Sequence, residues 1–173
     1  PTCWEAWTDV NGNGTYGVSQ GDTFLDCGCD RLCPGDEGYT APDEGEGDGV
    51  FQAVWLAGSS NGRAMNGVLD GVALRALVLR QGETSLAVVS GDLIGFPRGL
   101  VKAAEAEIVA RTEVDYLVVS STHSHQTPDT VGIYGPSMNT CGLDDDHLSR
   151  VVDGVIVGVS EGAAGFEFDV GRL

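Results

Sequence analysis

Two histidines, His123 and His125, stand two residues apart directly after a short apolar run. Alternate residues of an extended chain point to the same side, so both imidazoles are expected to face one site. Imidazole is the commonest protein ligand of zinc, and the pair therefore predicts one corner of a zinc site. The alternative is a pair of loop histidines bonded to solvent or backbone. The remaining histidine, His147, falls in the first turn of a predicted helix and is expected to be exposed.

A carboxylate also stands at the end of a predicted strand, where Asp92 occurs in the run Ser90-Gly91-Asp92-Leu93. Such a side chain often faces the site of an α/β protein, where it can orient a metal-binding histidine or contact substrate. The alternative is a turn or helix-entry aspartate. Asp92 and His125 are therefore the candidates for a supporting or substrate-binding role.

The elements that must position these residues form a predicted βαβ unit. Residues 72–79 and 85–89 are expected to be the strands of a hairpin that turns at Gln81-Gly82. Pro97 and the spacing of the following apolar residues predict an amphipathic helix over residues 97–111, with residues 116–119 as the next strand. The helical positions are Leu100, Val101, Ala104, Ile108 and Val109. A strand–helix–strand unit favours parallel pairing, and residues 120–143 then leave the sheet edge where α/β proteins bind ligands.

A second helix is predicted after that loop, because apolar residues recur at helical spacing from Leu148 to Val159 and Asp144 to Asp146 can cap its start. Phe166 to Val170 is expected to be a strand. The predicted fold class is α/β, with a βαβ-containing mixed sheet and flanking helices over residues 50–173. A loop-rich, acidic module rich in Cys and Gly precedes it in residues 1–49.

The N-terminal module contains a candidate calcium loop. Asp9, Asn11, Asn13 and Gly14 match the first half of an EF-hand loop, in which oxygens at alternate positions wrap a hard cation. The twelfth position is Gln20, and Asp22 is the expected additional carboxylate. An Asn-Gly turn in an acidic surface loop is the alternative.

Charge and cysteine content restrict the class of protein. The chain has 26 acidic and 9 basic residues, and a net charge of −17 argues against nucleic acid as a partner. No apolar run approaches the ~20 residues of a membrane helix. Four of the five cysteines lie within the first 33 residues, which predicts at least one disulfide and a secreted, periplasmic or extracellular mature chain. Cys141 can pair with that cluster or remain free. A zinc knuckle is the alternative for the cluster, although the spacing of Cys27, Cys29 and Cys33 departs from paired C-x2-C units.

The histidine loop resembles a motif of the neutral/alkaline ceramidases. The run from Leu117 to Thr130, which contains Thr122-His123-Ser124-His125-Gln126-Thr127-Pro128, is similar to the strand and T-H-T-H-S-G-P loop of that family. Features upstream fall in the family's order, and the similarity extends from about residue 54 to the C-terminus. They are Asn61-Gly62-Arg63, Asn66-Gly67-Val68, Arg75-Ala76-Leu77-Val78-Leu79 and Asp92-Leu93-Ile94-Gly95.

The resemblance implies a secreted zinc amidohydrolase that cleaves the N-acyl bond of ceramide or another small amide. It implies that His123 ligates zinc, with His125 beside it as a less favoured ligand. The family's other ligands and its catalytic serine lie farther along a longer domain, so this chain is expected to carry part of the site. The remaining C-terminal half or identical subunits would complete it. The sequence departs from the family at Gln126-Thr127 and at Leu69, where relatives often have histidine. The alternative function is an inactive extracellular structural or calcium-binding protein on the same fold.

Overall fold

The computed structural model describes residues 3–165. The sheet strands are β3 (Leu74–Gln81), β4 (Thr84–Gly91) and β5 (Tyr116–Ser121), and a short pair precedes them, β1 (Trp7–Thr8) and β2 (Thr23–Phe24). The helices are α1 (Arg98–Arg111) and α2 (Asp145–Ala164), with a 3-10 turn at Val18–Gln20. The strand predicted over residues 166–170 lies outside the described residues.

The main sheet has the mixed topology expected from the sequence. β3 and β4 form an antiparallel hairpin, and β4 pairs with β5 in parallel. The strand order is β3-β4-β5, with α1 as the crossover between the parallel strands. The α/β prediction with its βαβ unit is therefore confirmed, with the ends of the three strands and α1 shifted by at most two residues.

The core lies between one face of this sheet and the two helices. Side chains alternate along β4, so Ala87 and Val89 point into the core while Val88 points away. The fully buried members of the core cluster are Ala87, Val89, Ala104, Ile108, Val155 and Val159. Burying a Val or Ile side chain of this kind stabilises the fold by about 1.5–3 kcal/mol. The helical spacing predicts Val109 on the buried face of α1, but Val109 is 56% exposed.

Glycines at every fourth position let α2 lie close against β3. A Cβ atom at Gly158 would stand 3.3 Å from the Ala76 Cβ, and one at Gly162 would stand 3.1 Å from a methyl group of Val78. Gly154 makes the same kind of approach to Leu74. Residues four apart share a helix face and residues two apart share a strand face, so the two repeats match over two helical turns. Asp144 caps the helix as predicted, accepting a hydrogen bond from the His147 N–H.

The opposite face of the sheet is apolar and uncovered by any described residue. Leu77 pairs with Val88, and Val88 pairs with Val118. The next row across the sheet contains Leu79, Leu86 and Tyr116. Leu77, Val118 and Tyr116 are more than half exposed. We call these six side chains the open sheet face. Parallel strand pairs are normally buried on both faces, so this face has the character of an interface.

Two disulfides cross-link the N-terminal module. Cys3 pairs with Cys29 and Cys27 with Cys33, so the predicted oxidised cluster is confirmed and these thiols are not free to bind zinc. Cys141 is free and exposed.

The module packs directly against the residues that come after it. An aromatic cluster bridges the expected boundary at residue 49, with Tyr16 stacked 4.0 Å from Phe51, and Asn66 exchanges two hydrogen bonds with the Trp7 backbone. The division into residues 1–49 and 50–173 stays a prediction.

Candidate metal corner at the end of the parallel strands

The histidine loop leaves the sheet at the carboxyl edge of the parallel pair. After β5 ends at Ser121, the Thr122 N–H still donates to the Gly91 carbonyl at 3.0 Å, and the Ser124 N–H donates to the Leu93 carbonyl at 3.1 Å. The segment after β4 thus holds the loop that comes after β5. This continued pairing fixes the backbone on both sides of His123.

His123 combines an unusual backbone with a defined ring orientation. Its φ is +63°, a left-handed conformation that costs a non-glycine residue about 1–3 kcal/mol. The chain is therefore not extended here, and strand alternation, the basis of the sequence prediction, does not bring the two rings together. The His123 Nδ1 atom lies 2.8 Å from the Ile94 carbonyl oxygen. A backbone carbonyl on Nδ1 is the usual partner of a metal-binding imidazole, because it fixes the tautomer that leaves Nε2 as the ligand.

His125 lies against a glycine that leaves room for its ring. A Cβ atom at Gly58 would stand 2.2 Å from the His125 Cγ, and Gly58 also has a left-handed φ of +81°. The Arg63 guanidinium joins these segments, since its Nη1 donates to the carbonyls of His125 and Ala57, each at 2.8 Å. Arg63 thereby connects the Asn61-Gly62-Arg63 segment to the histidine loop.

The two imidazoles form an edge-to-face pair. Their ring centres are 5.2 Å apart with an angle of 63° between the planes. Two imidazoles that ligate one tetrahedral zinc would place their ring centres about 5 Å apart, given Zn–N bonds of about 2.05 Å. The separation of the ring centres therefore matches that of two imidazoles on one ion. Within residues 3–165, no group of three or more His, Cys, Asp or Glu side chains is placed to hold a metal ion, so a catalytic zinc here needs ligands from elsewhere.

Asp92 forms a salt bridge with Arg75. Its Oδ2 atom accepts a hydrogen bond from Arg75 Nη1 at 3.0 Å, and its backbone N–H donates to the Ala73 carbonyl. In the described part of the chain its carboxylate makes no hydrogen bond to a histidine. Asp92 does line the groove beside the loop, so substrate contact by Asp92 stays a prediction.

A groove of about 880 Å³ opens next to the histidine loop, a size typical of small-molecule sites. Its polar lining residues include Asp92, Ser124 and Gln126 from the loop and strand ends, together with Thr127, His147 and Arg150. Its apolar wall is formed by Trp4, Val54, Leu56, Met65, Val68, Leu69, Val72, Leu74 and Val151.

Sequence reasoning missed two polar residues of this groove. The sequence predicts an exposed His147, yet its ring is half-buried and its Nε2 atom is shielded with no hydrogen-bond partner among the described residues. Burial lowers the pKa of His147, an effect that the charge of Asp144 partly offsets and that of Arg150 reinforces. Thr127 is 7% exposed, and its Oγ1 atom is likewise buried without a partner in that part of the chain. No local pattern marks either residue, because their surroundings include segments distant in sequence, such as residues 65–74, that line the same groove.

The candidate calcium loop is closed by its own backbone. Asp9 accepts hydrogen bonds from the Gly12, Asn13 and Gly14 N–H groups at 2.7–3.2 Å. The Asn11 and Asn13 side-chain amides both donate to Gln20 Oε1. The twelfth-position residue thus converges on the same side chains as in a calcium loop. Asp22 is 4% exposed and accepts from the N–H groups of Val10 and Gly17. Its carboxylate holds the loop ends together.

No protein-family model matches the chain, and no curated protein or solved structure is significantly similar to it. None of the helices described is long and apolar enough to cross a membrane.

Proposed function

We propose that this chain forms part of a secreted, zinc-dependent amidohydrolase of the neutral ceramidase type. The observation that carries the proposal is the His123 ring, held through Nδ1 by the Ile94 carbonyl and placed 5.2 Å from the His125 ring. The ceramidase-like run that contains both histidines supplies the reaction class. The two disulfides fit an oxidising compartment such as the extracellular space or the periplasm.

Each residue of the site has its own role in this proposal. His123 would hold zinc through Nε2, and His125 would be a second ligand or contact the substrate. A zinc ion held there would supply an activated water and a Lewis acid for the amide carbonyl. Arg63 fixes the His125 backbone and Ile94 fixes the His123 tautomer. Asp92 lies in the groove where a sphingolipid-like amide would be bound.

The missing ligands would come from polypeptide that covers the open sheet face. Leu77, Val118 and Tyr116 of that face are more than half exposed, and a parallel strand pair is normally covered on both faces. Further polypeptide of the same protein or an identical subunit would meet this requirement.

The test is hydrolysis of a ceramide-like amide by the full-length protein in its native assembly. We expect activity that a chelator removes and added zinc restores. His123→Ala should lose bound zinc and activity together, while its circular dichroism spectrum stays that of the unmodified protein. Ser59→Ala is the matched control, because Ser59 also has a left-handed φ of +60° and is exposed but bears no imidazole. Activity that survives both zinc removal and His123→Ala would contradict the proposal.

A second function, an inactive extracellular structural or calcium-binding protein, is favoured by the Asp9 loop. Asp9, Asn11, Asn13 and Gln20 converge there, and Asp22 closes the loop ends. Calorimetry on the oxidised chain would show calcium binding that Asp9→Asn abolishes. Calcium binding without zinc or hydrolysis in the full assembly would favour this function over the enzyme.

A further inference from the structure

Part of the wall of the groove beside the histidine loop comes from the N-terminal module. Trp4 is half-buried and lines the groove together with apolar residues of the later region such as Leu56 and Met65. The sequence predicts a module that is separate from the α/β region and gives it no part in the groove. The groove is instead shared between the two regions, so the module contributes to whatever is bound there.

The backbone is fixed on both sides of Trp4. The residue before it, Cys3, is joined by a disulfide to Cys29. The residue after it, Glu5, is 1% exposed, and its carboxylate accepts hydrogen bonds from two backbone N–H groups at 3.0 and 3.2 Å. Flanking residues that are held in this way keep the indole in one position, which is what a binding site requires of its walls.

Arg31 holds the indole ring itself. Its guanidinium carbon lies 4.4 Å from the centre of the Trp4 ring in a cation–π contact, and Arg31 does not line the groove. The side of the indole that bounds the groove is therefore not the side that the guanidinium covers. Arg31 has a left-handed φ of +61°, similar to the +63° of His123. Strained residues of this kind persist where the surrounding structure holds them, and they cluster at ligand-binding sites.

We propose that Trp4 is a ligand-contacting residue and that the groove takes an uncharged group with a flat ring against the indole. Aromatic rings stack on indole with a preference beyond their apolar area, and a methionine thioether such as that of Met65 is a further favourable partner for a ring. The proposal goes beyond the hydrolase, because ring binding is measured without turnover. Failure of the hydrolase would leave it intact.

The charges around the groove argue for an uncharged group. The carboxylates of Asp70 and Asp92 line the groove beside one arginine, Arg150, and the chain has a net charge of −17, so an anionic group would be repelled. A cationic group on the ring of Trp4 would meet the positive charge of Arg31 across the indole. An uncharged ring avoids both costs.

Fluorescence titration of the full-length protein with N-phenylnaphthylamine, an uncharged aromatic probe, tests the proposal. Anilinonaphthalenesulfonate is the anionic comparison, because it adds a sulfonate to the same rings. The probes are excited directly, so removal of an indole does not itself change the signal. We expect the uncharged probe to bind about tenfold more tightly than the sulfonate. Failure of the uncharged probe to bind, or equal or tighter binding of the sulfonate, would overturn the proposal.

Trp4→Leu removes the ring and keeps an apolar side chain. We expect the affinity for N-phenylnaphthylamine to fall about tenfold, whereas the affinity for decanol, an uncharged aliphatic alcohol, stays nearly unchanged in calorimetry. Tyr39→Leu is the matched control, because Tyr39 is a half-buried aromatic residue of the module that does not line the groove. It should change neither affinity. Equal losses for the two ligands would overturn the ring preference, and an unchanged affinity for the aromatic probe would overturn the role of Trp4.

Arg31→Gly separates binding from folding, because glycine adopts a left-handed φ without strain. We expect the melting temperature to change by no more than a few degrees, while the affinity for N-phenylnaphthylamine falls about threefold with loss of the cation–π contact. A lower melting temperature with unchanged affinity would show a purely structural role and would overturn the part assigned to Arg31.

Replacing Cys3 and Cys29 together by serine tests whether the disulfide positions Trp4. The second disulfide, Cys27–Cys33, stays in place in this variant. We expect a loss of aromatic-probe affinity similar to that of Trp4→Leu, with little further loss when the three substitutions are combined, because they act on the same wall. Unchanged affinity in the serine variant, or losses that add in the combined variant, would overturn the positioning of Trp4 by the disulfide.

Discussion

The N-terminal module and the sheet-and-helix region are stabilised by different kinds of interaction. In residues 3–49, backbone N–H groups are satisfied by aspartate side chains, and two disulfides restrict the unfolded chain. In residues 74–164, strands and helices pair their own backbone and bury apolar side chains such as Val89 and Ile108 completely. A loop-rich segment with little core depends on covalent and polar links, whereas regular elements depend on packing. The two regions should therefore fail under different treatments.

Reduction of the disulfides should separate the two regions most strongly. The chain-entropy model assigns the two closed loops about 6 kcal/mol together, most of it from Cys3–Cys29 with its sequence separation of 26. Hydrogen exchange after reduction should show loss of protection in residues 3–49 and retained protection in β3, β4 and α2. Equal loss in both regions would mean that the module is a required part of the sheet's core.

A core substitution should act on the other region. Ile108→Ala removes a fully buried side chain between α1 and the sheet and should destabilise the protein by about 4 kcal/mol in chemical denaturation. Val109→Ala on the same helix is the control, and at 56% exposure it should change stability by less than about 0.5 kcal/mol. Similar effects of the two substitutions would contradict the described orientation of α1.

The two regions should also respond to pH with opposite signs. Burial raises the pKa of Glu5, which is 1% exposed, and the charges of Asp26 and Asp48 raise that pKa further. Hydrogen bonds from the Gln52 and Gly28 N–H groups lower it but only partly offset the effect of burial. The folded state then holds the Glu5 proton more tightly, so this contribution to stability is lost as pH rises from about 4.5 towards the raised value. Burial lowers the pKa of His147, so the unfolded state takes up the proton first. Stability from His147 is therefore lost as pH falls below about 6.5.

Residue-resolved hydrogen exchange across pH 4 to 8 would measure both slopes. Glu5→Gln should flatten the module's slope, and His147→Gln should flatten that of the α2 region. The comparison fails if one substitution changes both slopes, or if the slopes have the same sign.

The sequence predicts the regular elements better than the site. The period-2 pattern of β4, the helical spacing after Leu148 and the Asp144 cap are local signals, and each leads to the observed element. The sequence wrongly predicts that Val109 is buried, because its helical spacing puts it at the edge of the apolar face of α1. The proximity of His123 to His125 is anticipated, but its cause is a left-handed residue held by the segment after β4, which strand alternation does not encode.

The burial of the groove residues could not be predicted from the sequence, for a related reason. Thr127 and His147 line the groove together with residues of the segment 65–74, and such long-range packing has no local pattern. The same is true of Arg63, whose guanidinium donates to the Ala57 carbonyl and also to the His125 carbonyl, 62 residues away in sequence. The disulfide pairing among the first four cysteines is also open at the level of sequence, since several connectivities satisfy the spacing.

The most direct test of the central claim is the zinc content of the full-length protein in its native assembly, compared between the unmodified protein, His123→Ala and His147→Ala. The histidine loop is expected to hold zinc through His123, whereas His147 lies in the first turn of α2, outside that loop, and is the control histidine. We predict about one zinc per chain in the unmodified protein and in His147→Ala, and almost none in His123→Ala. Zinc retained in His123→Ala at the level of the unmodified protein would contradict the assignment of this loop as part of a zinc site.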